Sequence, residues 1–105
     1  MYQYQFPRMK GLRVESNCFS RQLDKIAEEL AEVRQAMNGA PEEREFDTAV
    51  ELFDVIHAAE SALRMVAEES SYNSEGYSPL LEKAYEAVIT KNAERGYYAN
   101  MEGWL

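Results

Sequence analysis

From Pro41 to Glu69 neither a glycine nor a second proline interrupts the chain, and apolar residues recur there at helical rather than alternating spacing. Such a stretch dictates one long helix, which at 1.5 Å per residue extends roughly 40 Å. Pro41 suits the first helical position, where no amide is needed, and Glu42 and Glu43 suit the positive end of the helix dipole. The helix is apolar on more than one side and so needs neighbours on more than one side. A chain of 105 residues, one domain in size, can supply few of them. The pattern therefore predicts an all-α fold, an antiparallel helical bundle completed by oligomerisation.

Two shorter helices flank the long one. Leu23, Ile26, Ala27, Leu30, Val33 and Met37 keep a helical period over 18–38, with Asn17 as the expected N-cap and Asn38-Gly39 as the stop. Ser78-Pro79 opens the other, over 79–95, where Leu81, Ala84, Tyr85 and Val88 carry the period up to Gly96. Residues 70–77 read as a loop, 1–17 as an irregular or short extended arm without assigned role, and 99–105 as a short docked tail. One domain over 1–105 is expected, with no repeat and no strand-like alternation.

The formal charge of −8 repels a phosphate backbone, which argues against nucleic acid or an anionic membrane as partner. No stretch of eighteen apolar residues is present, and Met1-Tyr2-Gln3-Tyr4-Gln5-Phe6 lacks the pattern of a signal peptide; a soluble, cytoplasmic protein is expected. Cys18 has no second cysteine to pair with, and the reading is a buried, inert thiol.

Within Ala49–Ala59 only Glu51, Asp54 and His57 are polar. Glu51 and Asp54 lie one turn apart on the same stripe, with Leu52, Phe53, Val55 and Ile56 in the remaining directions. Carboxylates so close repel each other unless something positive sits between them, and a hard cation such as Mg²⁺, which takes oxygen ligands, is the economical answer. The first helix offers Glu28, Glu29 and Glu32 within about 100° of its surface. Antiparallel packing of the two helices would bring the acidic groups face to face; the bland reading of the first group is a solvated face balanced by Lys25 and Arg34. A di-iron bundle needs two carboxylate–histidine pairs, and the single histidine, His57, is better read as an edge-of-core group than as a ligand. Near the end of the third helix Lys91, Asn92 and Arg95 share one side, suited to phosphate oxygens or, more blandly, to the negative end of a helix.

Glu28-Glu29-x-x-Glu32, eighteen intervening residues and Glu51-x-x-Asp54, followed by Lys91-Asn92-x-x-Arg95-Gly96-Tyr97-Tyr98, resembles the signature of the MazG-like all-α nucleoside triphosphate pyrophosphohydrolases, in particular their short phage- and prophage-borne members. The resemblance covers roughly residues 19–98. It implies Mg²⁺, with Mn²⁺ as a substitute, held by Glu29, Glu32, Glu51 and Asp54, and Glu28 as an outer acid that orients the attacking water. It further implies phosphate contacts from Lys91, Asn92 and Arg95, a nucleoside triphosphate cut between its α and β phosphates, and a homodimer or homotetramer. Phe19, Gln22, Tyr97, Tyr98 and Trp104 are candidates for base contact, although packing is the plainer role for each. Two other readings stay open on the residues alone: a catalytically silent bundle that serves as a binding or regulatory module, and a structural helical protein without ligand.

Overall fold

A computed structural model of the chain describes residues 2–12, 16–71 and 79–99, with the backbone alone at 16–17 and 69–71. Three helices make it up: α1 (Ser16–Ala36), α2 (Pro41–Ser71) and α3 (Pro79–Glu94), and no strand occurs among the described residues. The protein is all-helical, and none of the described helices is long and apolar enough to cross a membrane. Trp104, most of the expected tail, the Ser78 cap and loop residues 72–77 lie outside the described residues.

The punctuation acts largely as the residue chemistry requires. Pro41 is the first residue of α2, and the Ala40 carbonyl accepts from the amides of Glu43 and Arg44 at 3.1 and 2.9 Å. Asn17 is not a cap: α1 already begins at Ser16, which puts Asn17 inside the first turn. At the other end α1 tightens, with the Asn38 and Gly39 amides donating to the Gln35 and Ala36 carbonyls, while Asn38 Nδ2 donates to the Arg34 carbonyl at 3.1 Å. The end of α3 is a Schellman motif, in which the Tyr97 amide reaches the Asn92 carbonyl, the Gly96 amide reaches that of Ala93, and Gly96 adopts φ 74°. A side chain at that φ costs about 1 kcal/mol, so glycine there is a requirement of the backbone.

Gln22 Nε2 donates to the Ala58 carbonyl at 2.9 Å, while Glu29 lies beside Glu51 and Asp54, so residue numbers rise along α1 as they fall along α2. The third helix packs against α2 and, among the described residues, not against α1. In one chain α3 thus joins the pair α1–α2 through α2 alone. The chain's radius of gyration of 16.0 Å exceeds the about 13 Å of a compact chain this long. Burial is divided along α2 accordingly. Ala58, Ala62, Met65 and Ala67 of the C-terminal half are buried, whereas Phe46, Val50, Phe53 and Ile56 of the N-terminal half are exposed, Phe46 at 72%. Leu23 and Leu30 of α1 are exposed as well.

The arm packs along α2 and reaches α3. Burial alternates from Tyr2 to Phe6, the two glutamines exposed, and the chain bends at Gln5 and Phe6. Glu60 of α2, only 3% exposed, accepts from the amides of Gln5 and Phe6 at 2.6 and 2.8 Å and from the Tyr2 hydroxyl at 3.3 Å. One turn on, Arg64 donates to the Phe6 carbonyl at 2.6 Å and places its guanidinium 3.8 Å from the centre of the Tyr4 ring. Arg8 pairs with Glu68, and the Tyr2 ring meets Tyr85 of α3 at 5.5 Å. The irregular arm of the sequence reading is therefore an anchored strap joining α2 to α3.

Burial, and then the neighbouring Glu60 carboxylate, push the Tyr2 hydroxyl up to about 12. The unfolded chain loses that proton near pH 10 and the folded chain keeps it, so stability present below pH 10 falls as pH rises from about 10 to 12. Tyr2→Phe is expected to make the decline of melting temperature across this window shallower, read by circular dichroism at stepped pH.

Candidate metal centre

The site forms where the N-terminal half of α2 faces the middle of α1. Glu51 and Asp54, three residues apart on α2, share a stripe, and Glu29 meets them from α1. One carboxylate oxygen from each of Glu29, Glu51 and Asp54 lies within 4.8 Å of the other two. Glu29 is buried at 7% exposure, Glu51 is half-buried and Asp54 is exposed, so the group grades from interior to solvent.

Two of these residues also hold a carboxylate oxygen, Glu29 Oε2 and Glu51 Oε2, that is buried without a hydrogen-bond partner. A buried carboxylate oxygen with no donor is costly, and here two such oxygens belong to neighbouring acids. A divalent cation with oxygen preference satisfies both atoms and removes the repulsion, so the residues present fit the Mg²⁺ expected from sequence.

Glu32, the fourth expected ligand, is exposed and outside the three-oxygen group. The neighbouring Glu29 carboxylate, by hydrogen bonding and by its charge, raises Glu32 above its ordinary value, with burial and the charge of Glu51 adding to the effect. Glu29 is held below its ordinary value, first by Lys25 and then by Glu32. Lys25 Nζ sits 2.9 Å from Glu29 Oε1, so Lys25 balances Glu29, which is buried rather than part of a solvated face. Glu28 is exposed on the adjoining side of α1.

Beside the acids opens a cleft of about 760 Å³, within the range of small-molecule sites. The strap contributes Met9 to Leu12 as one wall; α1 contributes Arg21, Gln22, Lys25 and Glu29, and α2 contributes Asp54, His57 and Met65. His57 lies outside the carboxylate group; its ring stacks on Phe6 at 4.7 Å with an 11° tilt, and its Nε2 is buried without a partner. Cys18 is half-buried rather than deep, lines the same cleft, and lies 3.3 Å from Arg21 Nη2.

Of the other sequence candidates, Gln22 lines the cleft while its amide is engaged by Ala58, and Phe19 is half-buried away from the cleft lining. Tyr97 is 67% exposed at the end of α3, with Tyr98 half-buried beside it. Lys91 and Arg95 are exposed and Asn92 half-buried at that same end, and none of the three lines the cleft of a single chain. The cations that do line it, Lys10, Arg21 and Lys25, went unnoticed as a group in the sequence. Arg21, Lys25 and Glu29 stand at successive four-residue steps, a stripe that helical spacing alone makes visible. Comparison with known protein families, with curated proteins and with solved structures gives no match to this chain.

Proposed function

We propose that the protein is a Mg²⁺-dependent nucleoside triphosphate pyrophosphohydrolase of the MazG-like kind, working in the cytoplasmic nucleotide pool on a canonical or modified (deoxy)nucleoside triphosphate. The observation that carries the reading is the trio Glu29, Glu51 and Asp54, three carboxylate oxygens from two helices within 4.8 Å, two of the residues holding a buried oxygen without a donor. Mg²⁺, with Mn²⁺ as substitute, supplies charge neutralisation on the phosphates when bound. Glu29, Glu51 and Asp54 would hold it, with Glu32 one turn from Glu29 as the fourth carboxylate. Glu28 orients the water that adds to the α-phosphorus, and the α–β bridging bond breaks with pyrophosphate leaving.

The antiparallel helical bundle belongs to the same proposal. Phe46, Val50, Phe53, Leu23 and Leu30 are apolar and exposed in one chain, and a second copy covers them in a homodimer or homotetramer. Lys91, Asn92 and Arg95 reach phosphate in this arrangement only if α3 of a second copy approaches the cleft. The test is pyrophosphate release across a panel of ribo- and deoxyribonucleoside triphosphates with and without Mg²⁺. Metal-dependent release from at least one member is expected; no release from any member favours a binding module on the same scaffold.

A further inference from the structure

One cleft holds two opposed sets of charges. Its charged lining is Glu29 and Asp54 on one hand, and Lys10 of the strap with Arg21 and Lys25 of α1 on the other. In a chain of net charge −8, three of the eleven basic residues gathered at one opening form a local reversal of sign. A cleft lined by both carboxylates and cations suits a ligand of the same build, an anion chain carrying a divalent metal.

Lys25 is the residue the two sets share. Its Nζ holds Glu29 Oε1 at 2.9 Å, although Glu29 is also the most buried member of the carboxylate trio. The pair runs lysine first and glutamate four residues later, the weaker of the two helical orders, and Lys25 is exposed, so the contact adds little to the helix. It does put a positive charge on the oxygen partner of a site built for one.

On the cation reading of that site, we infer that Lys25 is an exchangeable counterion: it neutralises Glu29 in the metal-free protein, leaves it when a divalent cation takes the carboxylates, and then joins Arg21 and Lys10 in holding the phosphates of the ligand. The exchange couples the two charges of a metal–polyphosphate ligand. Lys25 opposes the cation while the cleft lacks an anion, and favours the anion once the cation is in place.

The prediction is a pair of effects of opposite sign, which a merely structural lysine does not produce. Mn²⁺ alone and inorganic tripolyphosphate at saturating Mn²⁺ are titrated calorimetrically into the wild type, Lys25→Met and Arg21→Ala. Lys25→Met is expected to bind Mn²⁺ on the order of threefold more tightly and tripolyphosphate on the order of tenfold more weakly. Arg21→Ala is expected to leave Mn²⁺ binding unchanged and to weaken tripolyphosphate. Melting curves of all three establish that each is folded, and Lys25→Arg, which keeps the charge, restores both titrations toward the wild type. If the wild type binds Mn²⁺ while Lys25→Met alters neither titration, or weakens both, the exchange role is overturned and the metal site stands. If the wild type takes up no Mn²⁺, the metal reading and the exchange fall together.

Discussion

Asp54→Asn is expected to reduce pyrophosphate release by about three orders of magnitude while the metal-free protein melts at the same temperature or higher. The two halves of that outcome come from one arrangement. Asp54, Glu51 and Glu29 bring three carboxylate oxygens within 4.8 Å, and unfolding relieves their repulsion. Asparagine keeps the size of the side chain and removes one charge, so the protein without metal loses a repulsion and nothing else. The same change weakens the hold on a divalent ion that contributes several kcal/mol to a phosphoryl-transfer transition state, and each 1.36 kcal/mol is tenfold in rate, roughly. Glu51→Gln is expected to behave in the same way. Turnover near the wild-type level in either variant, measured at saturating Mg²⁺, contradicts the ligand assignment. A large drop in melting temperature would show instead that these acids are structural.

Glu60→Ala is expected to be the most destabilising single change, by about 3 kcal/mol, from losing charged hydrogen bonds and leaving donors buried. For a domain of this size that lowers the melting temperature by roughly 12 °C or more. The carboxylate is nearly inaccessible and receives two backbone amides and a tyrosine hydroxyl, so the alanine variant strands the Gln5 and Phe6 amides and leaves Arg64 with a charge less well balanced. The strap then detaches, taking Met9 to Leu12 out of the cleft wall. Limited trypsin digestion reports this directly, because Arg8 and Lys10 lie on the strap. Faster cleavage there than in the wild type is expected, and unchanged cleavage with unchanged melting contradicts the strap.

The helices were legible because their limits are local. Pro41, Asn38-Gly39, Pro79 and Gly96 each act through their own backbone preferences, and the structure places the ends of α1, α2 and α3 within two residues of the expected positions. The strap was not legible, since its anchors are far off in sequence: Glu60 and Arg64 meet residues 2–6 across more than fifty positions. A trace of it was nonetheless present, in the alternation Tyr2-Gln3-Tyr4-Gln5-Phe6 and in two charged residues one turn apart among Ala58, Ala62, Met65 and Ala67. The carboxylate trio was legible because three- and four-residue steps fix which side chains share a helix face. The position of Glu32 outside it depends on how α1 is rotated against α2, which no spacing within one helix reveals. The cationic lining of the cleft was hidden for a similar reason, as Lys10 reaches Arg21 and Lys25 only through the path of the strap.

That Glu29, Glu51 and Asp54 together hold a divalent cation is decided by anomalous diffraction from a crystal soaked in Mn²⁺. One anomalous peak is expected between α1 and α2 at coordination distance from an oxygen of each of the three residues, with Lys25 turned away from Glu29. Absence of a peak there at saturating Mn²⁺, or carboxylates of Glu29, Glu51 and Asp54 pointing apart, would contradict it.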